Sequence, residues 1–260
     1  MNTETQDKLK RMAAVSAPSL FTVGNMACGF FAILAANSGQ FSTAGWLILT
    51  GIVLDGLDGR IARLVHGESA FGVEFDSLSD FVTFCVAPGC VMYAFVLKDY
   101  GMWGQPVAFV YALCGGLRLA RFNVAAQAHT GSKTHFVGLP TPAAAGILAS
   151  FLLLYDILET DRPARTLKPL MDSVPFLYPL IPFVMLALAI LMVSRVPYAA
   201  FKQPNMLRPR SARIMLLAVA LLVLVFMYPQ NAIFLFFAFY VISGLAAVLW
   251  RTFVGLTRKS

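Results

Sequence analysis

Residues 43–65 read TAGWLILTGIVLDGLDGRIARLV, and residues 73–97 read VEFDSLSDFVTFCVAPGCVMYAFVL. Both stretches are long enough for membrane helices, since a helix crosses a bilayer with about 20 mostly apolar residues. Both also carry carboxylates, and an acidic side chain at the bilayer centre costs about 2.5–3.5 kcal/mol on insertion scales. The pair therefore predicts two neighbouring membrane helices whose acidic side chains share a polar crevice.

The rest of the chain has the composition of a membrane protein. Among its 260 residues, 58% are apolar and 13% are charged, whereas soluble domains carry about 25% charged residues. We predict an all-α polytopic membrane protein with about eight transmembrane helices. The expected spans are residues 19–37, 43–65, 73–97, 106–125, 139–157, 174–194, 212–229 and 231–252.

The positive charges indicate how these helices are oriented. Of the 20 Lys and Arg residues, four lie on one side of the predicted spans, and the other 16 lie on the side that holds both termini. The four are Lys98, Arg162, Arg165 and Lys168. Because positively charged loops stay in the cytoplasm, we expect both termini there. The cations are spread between apolar stretches rather than gathered in one stripe, so we expect no nucleic acid partner.

The carboxylates of the second and third spans indicate a metal site. Asp55 and Asp58 are spaced for one face of the second helix, and Asp76 and Asp80 for one face of the third. Four acidic groups with a single Arg nearby leave negative charge that a divalent cation would neutralise. Ligands made only of oxygen favour Mg²⁺ or Mn²⁺. The alternative is a set of salt bridges between helices, with the neighbouring glycines serving only close packing.

The residues around these carboxylates resemble the signature of the CDP-alcohol phosphatidyltransferases, DxxDGxxAR(x8)GxxxDxxxD. Residues 55–63, DGLDGRIAR, and residues 72–80, GVEFDSLSD, match it at every fixed position. Residues 17–22, APSLFT, are similar to the PNxxT-type start of the family's first helix, with Ser19 in place of the usual Asn. Two further segments resemble the serine-accepting branch of the family: residues 116–124, GLRLARFNV, and residues 136–145, FVGLPTPAAA.

This resemblance implies an enzyme of phospholipid biosynthesis. It would transfer the phosphatidyl group from CDP-diacylglycerol to the hydroxyl of L-serine and release CMP, with the help of two Mg²⁺ or Mn²⁺ ions. Residues 1–260 would form one integral-membrane domain, with a catalytic core at about 17–145 and additional transmembrane helices over 174–255. The resemblance also implies a homodimer in the cytoplasmic membrane of a microbe, with the active site facing the cytoplasm.

The resemblance also assigns roles to individual residues. Four carboxylates would hold the metal pair: Asp55, Asp58, Asp76 and Asp80. Asp80 would in addition take the proton from the attacking hydroxyl as a general base. The CDP-lipid would contact Thr22, Gly59, Ala62, Arg63 and Gly72.

The candidate acceptor site lies on the fourth predicted span. Arg118, Arg121 and Asn123 occupy its cytoplasmic end. Because Arg binds a carboxylate through two parallel hydrogen bonds, we expect Arg118 or Arg121 to orient serine by its carboxylate. The alternative is that these Arg side chains extend to the membrane surface or bind lipid phosphate.

Three other functions remain compatible with the sequence pattern. The same chemistry could use another acceptor, namely inositol, glycerol phosphate or choline. An intramembrane prenyltransferase also presents acidic motifs to a lipid diphosphate, although the spacing of Gly59, Ala62 and Arg63 argues against it. A divalent-cation transporter would carry acidic residues along a route across the bilayer, whereas here the acids cluster toward one side.

Overall fold

The computed structural model describes residues 20–65, 70–127, 135–159, 172–194, 196–199 and 227–257. These residues form a helical bundle. Its α-helices are α1 Leu20–Asn37, α2 Phe41–Val65, α3 Ala70–Asp80, α4 Ala87–Phe95, α5 Gly104–Gln127, α6 Thr141–Glu159, α7 Val174–Leu177, α8 Ile181–Val193 and α9 Pro229–Thr257. A π-helical segment, Phe81–Val86, joins α3 to α4, and 3₁₀ turns cover Leu97–Trp103 and Tyr178–Leu180.

Six helical stretches in the described ranges are long and apolar enough to cross a membrane. They are Leu20–Asn37, Phe41–Ile61, Phe71–Phe95, Leu97–Ala125, Thr141–Leu158 and Val174–Val193. They coincide with the first six predicted spans, which confirms a polytopic helical membrane protein. The eighth predicted span corresponds to α9, whose shorter apolar part is Pro229–Gly244. The seventh, 212–229, lies outside the described residues except for its last three positions, so the total of eight stays a prediction.

The prediction of an all-α chain misses one small β ladder. Strand β1, His135–Val137, pairs antiparallel with strand β2, Pro197–Ala199. Phe136 lies opposite Tyr198 in this register. The ladder joins the chain before α6 to the chain after α8, and it therefore fixes two loops rather than forming a layer of its own.

The third membrane span is irregular directly after the last acidic residue of the motif. The segment Phe81–Val86 follows Asp80 as a π-helix, in which hydrogen bonds join residues five apart instead of four and which occurs often at functional sites. Pro88 follows it and has no N–H for the carbonyl of Phe84, one turn earlier. The hydroxyl of Tyr111 donates to that carbonyl instead, at 3.3 Å. The span therefore changes its helical register between the carboxylates and its C-terminal half.

Helices α1, α2 and the π-helical segment approach one another closely at glycines. A Cβ built on Gly29 would lie 2.6 Å from the hydroxyl oxygen of Thr83. A Cβ built on Gly51 would lie 2.6 Å from the Thr83 methyl group and 2.9 Å from the side-chain oxygen of Asn25. These distances leave no room for a larger residue at either position. The close approach brings the polar residues of α1 against the carboxylates of α2 and α3.

Candidate active site

Three of the four predicted metal ligands meet between α2 and α3. Asp55 comes from α2, and Asp76 and Asp80 come from α3; one carboxylate oxygen of each lies within 4.8 Å of one oxygen of the other two. The Oδ1 atom of Asp76 is buried without a hydrogen-bond partner in the described part of the chain. A set of oxygen ligands with an unsatisfied buried oxygen suits a hard divalent cation such as Mg²⁺ or Mn²⁺. The cluster could therefore bind a metal.

Asp58 stands apart from this group of three. Its side chain is 8% exposed and accepts a hydrogen bond from the hydroxyl of Thr22 on α1. Its negative charge still acts on Asp55 and Asp76. The structure thus places Asp58 at the edge of the carboxylate cluster. Its role as a metal ligand, and that of Thr22 as a lipid contact, remain predictions.

The residue that sequence reasoning missed is Asn25 on α1. It is fully buried, and its Nδ2 donates to Oδ1 of Asp80 at 3.0 Å. The backbone around it is also held, because Thr83 donates to the Asn25 carbonyl at 2.8 Å and Ser79 donates to the Thr22 carbonyl at 3.0 Å. A signal was present in the sequence: Asn25 is a polar residue in an apolar helix, three positions after Thr22 and hence on nearly the same face.

We expect substitution of Asn25 by Leu to lower kcat about ten- to hundredfold. A hydrogen bond to a charged group contributes about 1.5–3 kcal/mol, and each 1.36 kcal/mol changes a rate tenfold. Without the donor, the Asp80 carboxylate loses its fixed orientation. Steady-state release of the nucleotide product measures the effect.

The matched control is Asn37→Leu, at the exposed last position of the same helix. We expect that variant to keep its rate. Equal rates for the Asn25 and Asn37 variants would contradict the positioning of Asp80 by Asn25.

Among the residues predicted to bind the acceptor serine, Arg118 is the buried one. It is 9% exposed, and its Nη1 lies 3.4 Å from the hydroxyl oxygen of Thr141 at the start of α6. Its Nε is buried without a hydrogen-bond partner in the described ranges. Its positive charge acts on Asp80. The buried guanidinium therefore has a donor left over for an anionic group beside the carboxylates.

Arg121 and Asn123 have protein partners. Arg121 is exposed, and its Nη1 donates to the carbonyl of Val193 at the end of α8, at 3.1 Å. Asn123 donates through Nδ2 to the hydroxyl of Ser77 on α3, at 2.9 Å. The three residues that the sequence grouped as one acceptor site thus bond to three different elements. Of the three, Arg118 is the one whose positive charge acts on Asp80.

Four of the five predicted contacts of the CDP-lipid lie on the same two helices as the carboxylates; the fifth, Thr22, lies on α1. Gly59 is exposed, and a Cβ built on it would meet nothing within 4 Å. This open space leaves room for a ligand near the C-terminal end of α2. Gly72 lies in α3 one turn before Asp76. Ala62 and Arg63 lie in the last turn of α2, and their side chains fall outside the described part of the structure.

Comparison with known proteins agrees with this arrangement. The chain matches the family model for CDP-alcohol phosphatidyltransferase over residues 15–194. It is 36% identical over 231 residues to a CDP-diacylglycerol–serine O-phosphatidyltransferase of Helicobacter pylori, which covers 88% of this chain and 89% of the relative.

Two further relatives have different lengths of match. An archaetidylserine synthase of Methanothermobacter thermautotrophicus is 33% identical over 189 residues, with 71% of this chain and 70% of the relative covered. A CDP-diacylglycerol–serine O-phosphatidyltransferase of Bacillus subtilis is 35% identical over 139 residues, 54% of this chain and 76% of the relative. With the family model matching well over half of its length, the chain belongs to the CDP-alcohol phosphatidyltransferase family.

Proposed function

We propose that this protein transfers the phosphatidyl group of CDP-diacylglycerol to the hydroxyl of L-serine, forming phosphatidylserine and CMP. One observation carries this proposal: Asp55, Asp76 and Asp80 form a carboxylate cluster, and the charge of a buried Arg118 with an unpaired donor acts on Asp80. The cluster suits a metal-bound diphosphate, and the guanidinium suits the carboxylate of an amino-acid acceptor. The names of the relatives from Helicobacter and Bacillus support serine as that acceptor.

The proposed metal site uses the four carboxylates of the motif. Asp55, Asp76 and Asp80 would hold two Mg²⁺ or Mn²⁺ ions, with Asp58 as the fourth ligand. When bound, such ions would neutralise the diphosphate and stabilise the departing CMP. The hydrogen bond from Thr22 would hold the Asp58 carboxylate in place on the side of α1.

Asp80 is the proposed general base. Its Oδ1 accepts from Asn25, which leaves Oδ2 to take the proton of the serine hydroxyl. The serine oxygen then forms a bond to the phosphorus on the lipid side of the diphosphate, and the bond from that phosphorus to the CMP oxygen breaks. Arg118 would orient serine through its carboxylate, so that the hydroxyl points toward Asp80.

The surface of the bundle supports a lipid as the donor substrate. An apolar groove of about 390 Å³ opens between α2 and α9. Its wall on α2 includes Leu49, Ile52 and Val53, within two turns of Asp55. An acyl chain lying in this groove would stay in the hydrocarbon region while the diphosphate reaches the carboxylates. We propose that the cytidine end contacts Gly59, Ala62, Arg63 and Gly72 at the cytoplasmic end of the helices.

The proposed cellular setting follows the charge distribution. Both termini and the carboxylate end of α2 would face the cytoplasm of a microbial cell, since most Lys and Arg residues lie on that side. Residues 17–145 would form the catalytic core, and the helices over 174–255 would complete a single membrane domain. We further propose a homodimer.

An assay of the purified protein in detergent tests the function. With CDP-diacylglycerol, labelled serine and Mg²⁺ or Mn²⁺, we expect labelled phosphatidylserine and an equal amount of CMP. A chelator should abolish both products, because the carboxylates would otherwise face the diphosphate unneutralised. Restoring either ion should restore both.

Three further arms separate the alternatives. The first arm adds a competing acceptor: inositol, glycerol phosphate or choline. Preferred use of one of these alcohols over serine would overturn serine as the acceptor. A CDP compound without acyl chains should react poorly if the groove holds lipid. Metal uptake into liposomes without any CMP release would favour the transporter.

A further inference from the structure

The side chain of Tyr198 on β2 packs against α9. The ring is 1% exposed and lies 5.6 Å, centroid to centroid, from the ring of Tyr240. Its hydroxyl lies 3.4 Å from the carbonyl oxygen of Val241. A Cβ built on Gly244 would lie only 2.1 Å from the Tyr198 ring, so glycine is needed there. We call Tyr240, Val241 and Gly244 the Tyr198 socket.

The Tyr198 hydroxyl remains protonated in this socket. Burial, together with the neighbouring phenol of Tyr240, raises the pKa of Tyr198 to about 12. A neutral ring therefore fills the socket throughout the pH range of an ordinary assay, and its contribution is one of packing and hydrogen bonding.

The entrance to α6 contacts both the strand that carries Tyr198 and the end of α8 that precedes this strand. Besides the β1–β2 pairing, the N–H of Gly138 donates to the Val196 carbonyl at 2.9 Å, and the N–H of Leu139 donates to the Leu191 carbonyl at 3.0 Å. Gly138 has a φ of +84°, and a Cβ there would lie 2.4 Å from the carbonyl oxygen of Met192. The entrance to α6 is thus in direct backbone contact with the chain from the end of α8 to β2, with no space for a side chain at Gly138.

The entrance to α6 ends at Thr141, which is fully buried and lies within hydrogen-bond distance of Arg118. The helix of Arg118 is held a second time, because Arg121 donates to the Val193 carbonyl at the end of α8. An unbroken series of contacts therefore runs from α9 through Tyr198 and the β ladder to Thr141 and Arg118. The family match ends at residue 194, so Tyr198 and its socket lie beyond it.

We propose that the Tyr198 socket is a positioning element for the acceptor site: α9 holds Tyr198, and Tyr198 holds the segment that places Thr141 against Arg118. Tyr198 and Gly244 are positioning residues, since neither touches the carboxylate cluster. The inference rests on the proposed function, because it concerns the affinity for serine. A socket that serves only the stability of the bundle would affect both substrates alike.

The test compares the two KM values and kcat in four variants. In Gly244→Ala the new methyl group displaces the Tyr198 ring, and in Tyr198→Leu the ring is absent. We expect both to raise the KM for serine about tenfold, since a shift of about 1 Å in a positioning group can cost up to a hundredfold. The KM for CDP-diacylglycerol should stay within about twofold. Tyr198→Phe keeps the ring and should retain most of the serine affinity.

Gly45→Ala is the matched packing control. A Cβ on Gly45 would lie 2.9 Å from the carbonyl oxygen of Ala149, a comparable conflict between α2 and α6 away from the ladder. We expect Gly45→Ala to change the KM for serine and the KM for CDP-diacylglycerol by similar factors. If Gly244→Ala does not fold, the comparison of Tyr198→Leu with Tyr198→Phe decides.

Two results would overturn the inference: an unchanged KM for serine in Gly244→Ala and Tyr198→Leu, or a rise in both KM values together. The absence of phosphatidylserine formation by the wild-type protein would be a different outcome. That result overturns the proposed function itself, whereas a serine-using enzyme with an insensitive socket overturns only the role of α9.

Discussion

Replacing Asp80 by Asn is expected to lower kcat by about 10²–10⁴-fold, the range that a positioned general base contributes. The amide has nearly the shape of the carboxylate, and its oxygen can still accept the hydrogen bond from Asn25. The packing between α1 and α3 is therefore preserved, while the proton acceptor and one negative charge of the cluster are lost. Initial rates of CMP release at saturating serine and CDP-diacylglycerol measure the change.

A carboxylate beyond the far end of the third span provides the control. Asp99 lies in the turn after α4, where its Oδ2 is 3.4 Å from the hydroxyl oxygen of Tyr178. Asp99→Asn makes the same chemical change away from the cluster, and we expect it to keep its rate. If Asp80→Asn retained more than about a tenth of the wild-type kcat, Asp80 would not be the base. Metal dependence adds a second readout, because loss of a ligand should raise the metal concentration needed for half-maximal rate.

The core of the site was predictable because helix geometry alone orders it. Asp76 and Asp80 are four residues apart, so they share a face of α3 whatever surrounds them. Asp55 joins them because its helix precedes α3 directly in the chain and packs against the same neighbours. Asp58 lies on nearly the same face of α2 as Asp55, about 60° around the helix, so spacing alone does not separate the two. The contact with α1 does, because the hydroxyl of Thr22 donates to the Asp58 carboxylate.

Asn25 and the π-helical segment depend on contacts between helices. A single Asn in an apolar helix indicates a polar neighbour but does not identify it. Asp80 is that neighbour because Gly29 and Gly51 let α1, α2 and the π-helical segment meet closely. The segment Phe81–Val86 has no sequence signal of its own. Pro88 predicts a disturbance near it, but the change of register depends on packing.

The β ladder was beyond prediction for a different reason. Three-residue strands carry too little periodicity to be recognised, and their partners are far apart in the sequence. The difference between Arg118 and Arg121 also depends on contacts between elements that are far apart in the sequence. The two residues are three positions apart on α5, but the surrounding helices bury Arg118 and leave Arg121 exposed. The positions of α6 and α8 make this difference, because Arg118 lies against Thr141 and Arg121 donates to the Val193 carbonyl.

Because Arg118 is buried and Arg121 is exposed, we expect substitutions of the two residues to differ in their effect on the KM for serine. Arg118→Ala should raise the KM for serine by about ten- to hundredfold or more, because a hydrogen bond to a charged group contributes about 1.5–3 kcal/mol. Arg118→Lys should recover only part of the loss, since an ammonium cannot present the planar pair of donors that a guanidinium does. Arg121→Ala should have a clearly smaller effect, because its Nη1 bonds to the Val193 carbonyl.

An acceptor without a carboxylate distinguishes the loss of carboxylate binding from a general loss of activity. Ethanolamine has the hydroxyl and amine of serine but no carboxylate, so the wild-type enzyme should strongly prefer serine over it. Arg118→Ala should reduce that preference by lowering the use of serine while leaving the slow use of ethanolamine nearly unchanged. Product chromatography with both labelled alcohols gives the ratio of kcat/KM directly. An unchanged KM for serine in both Arg variants, with activity still measurable, would show that neither guanidinium binds the carboxylate, and the acceptor would then have to be oriented by Thr141 or Asn123 instead.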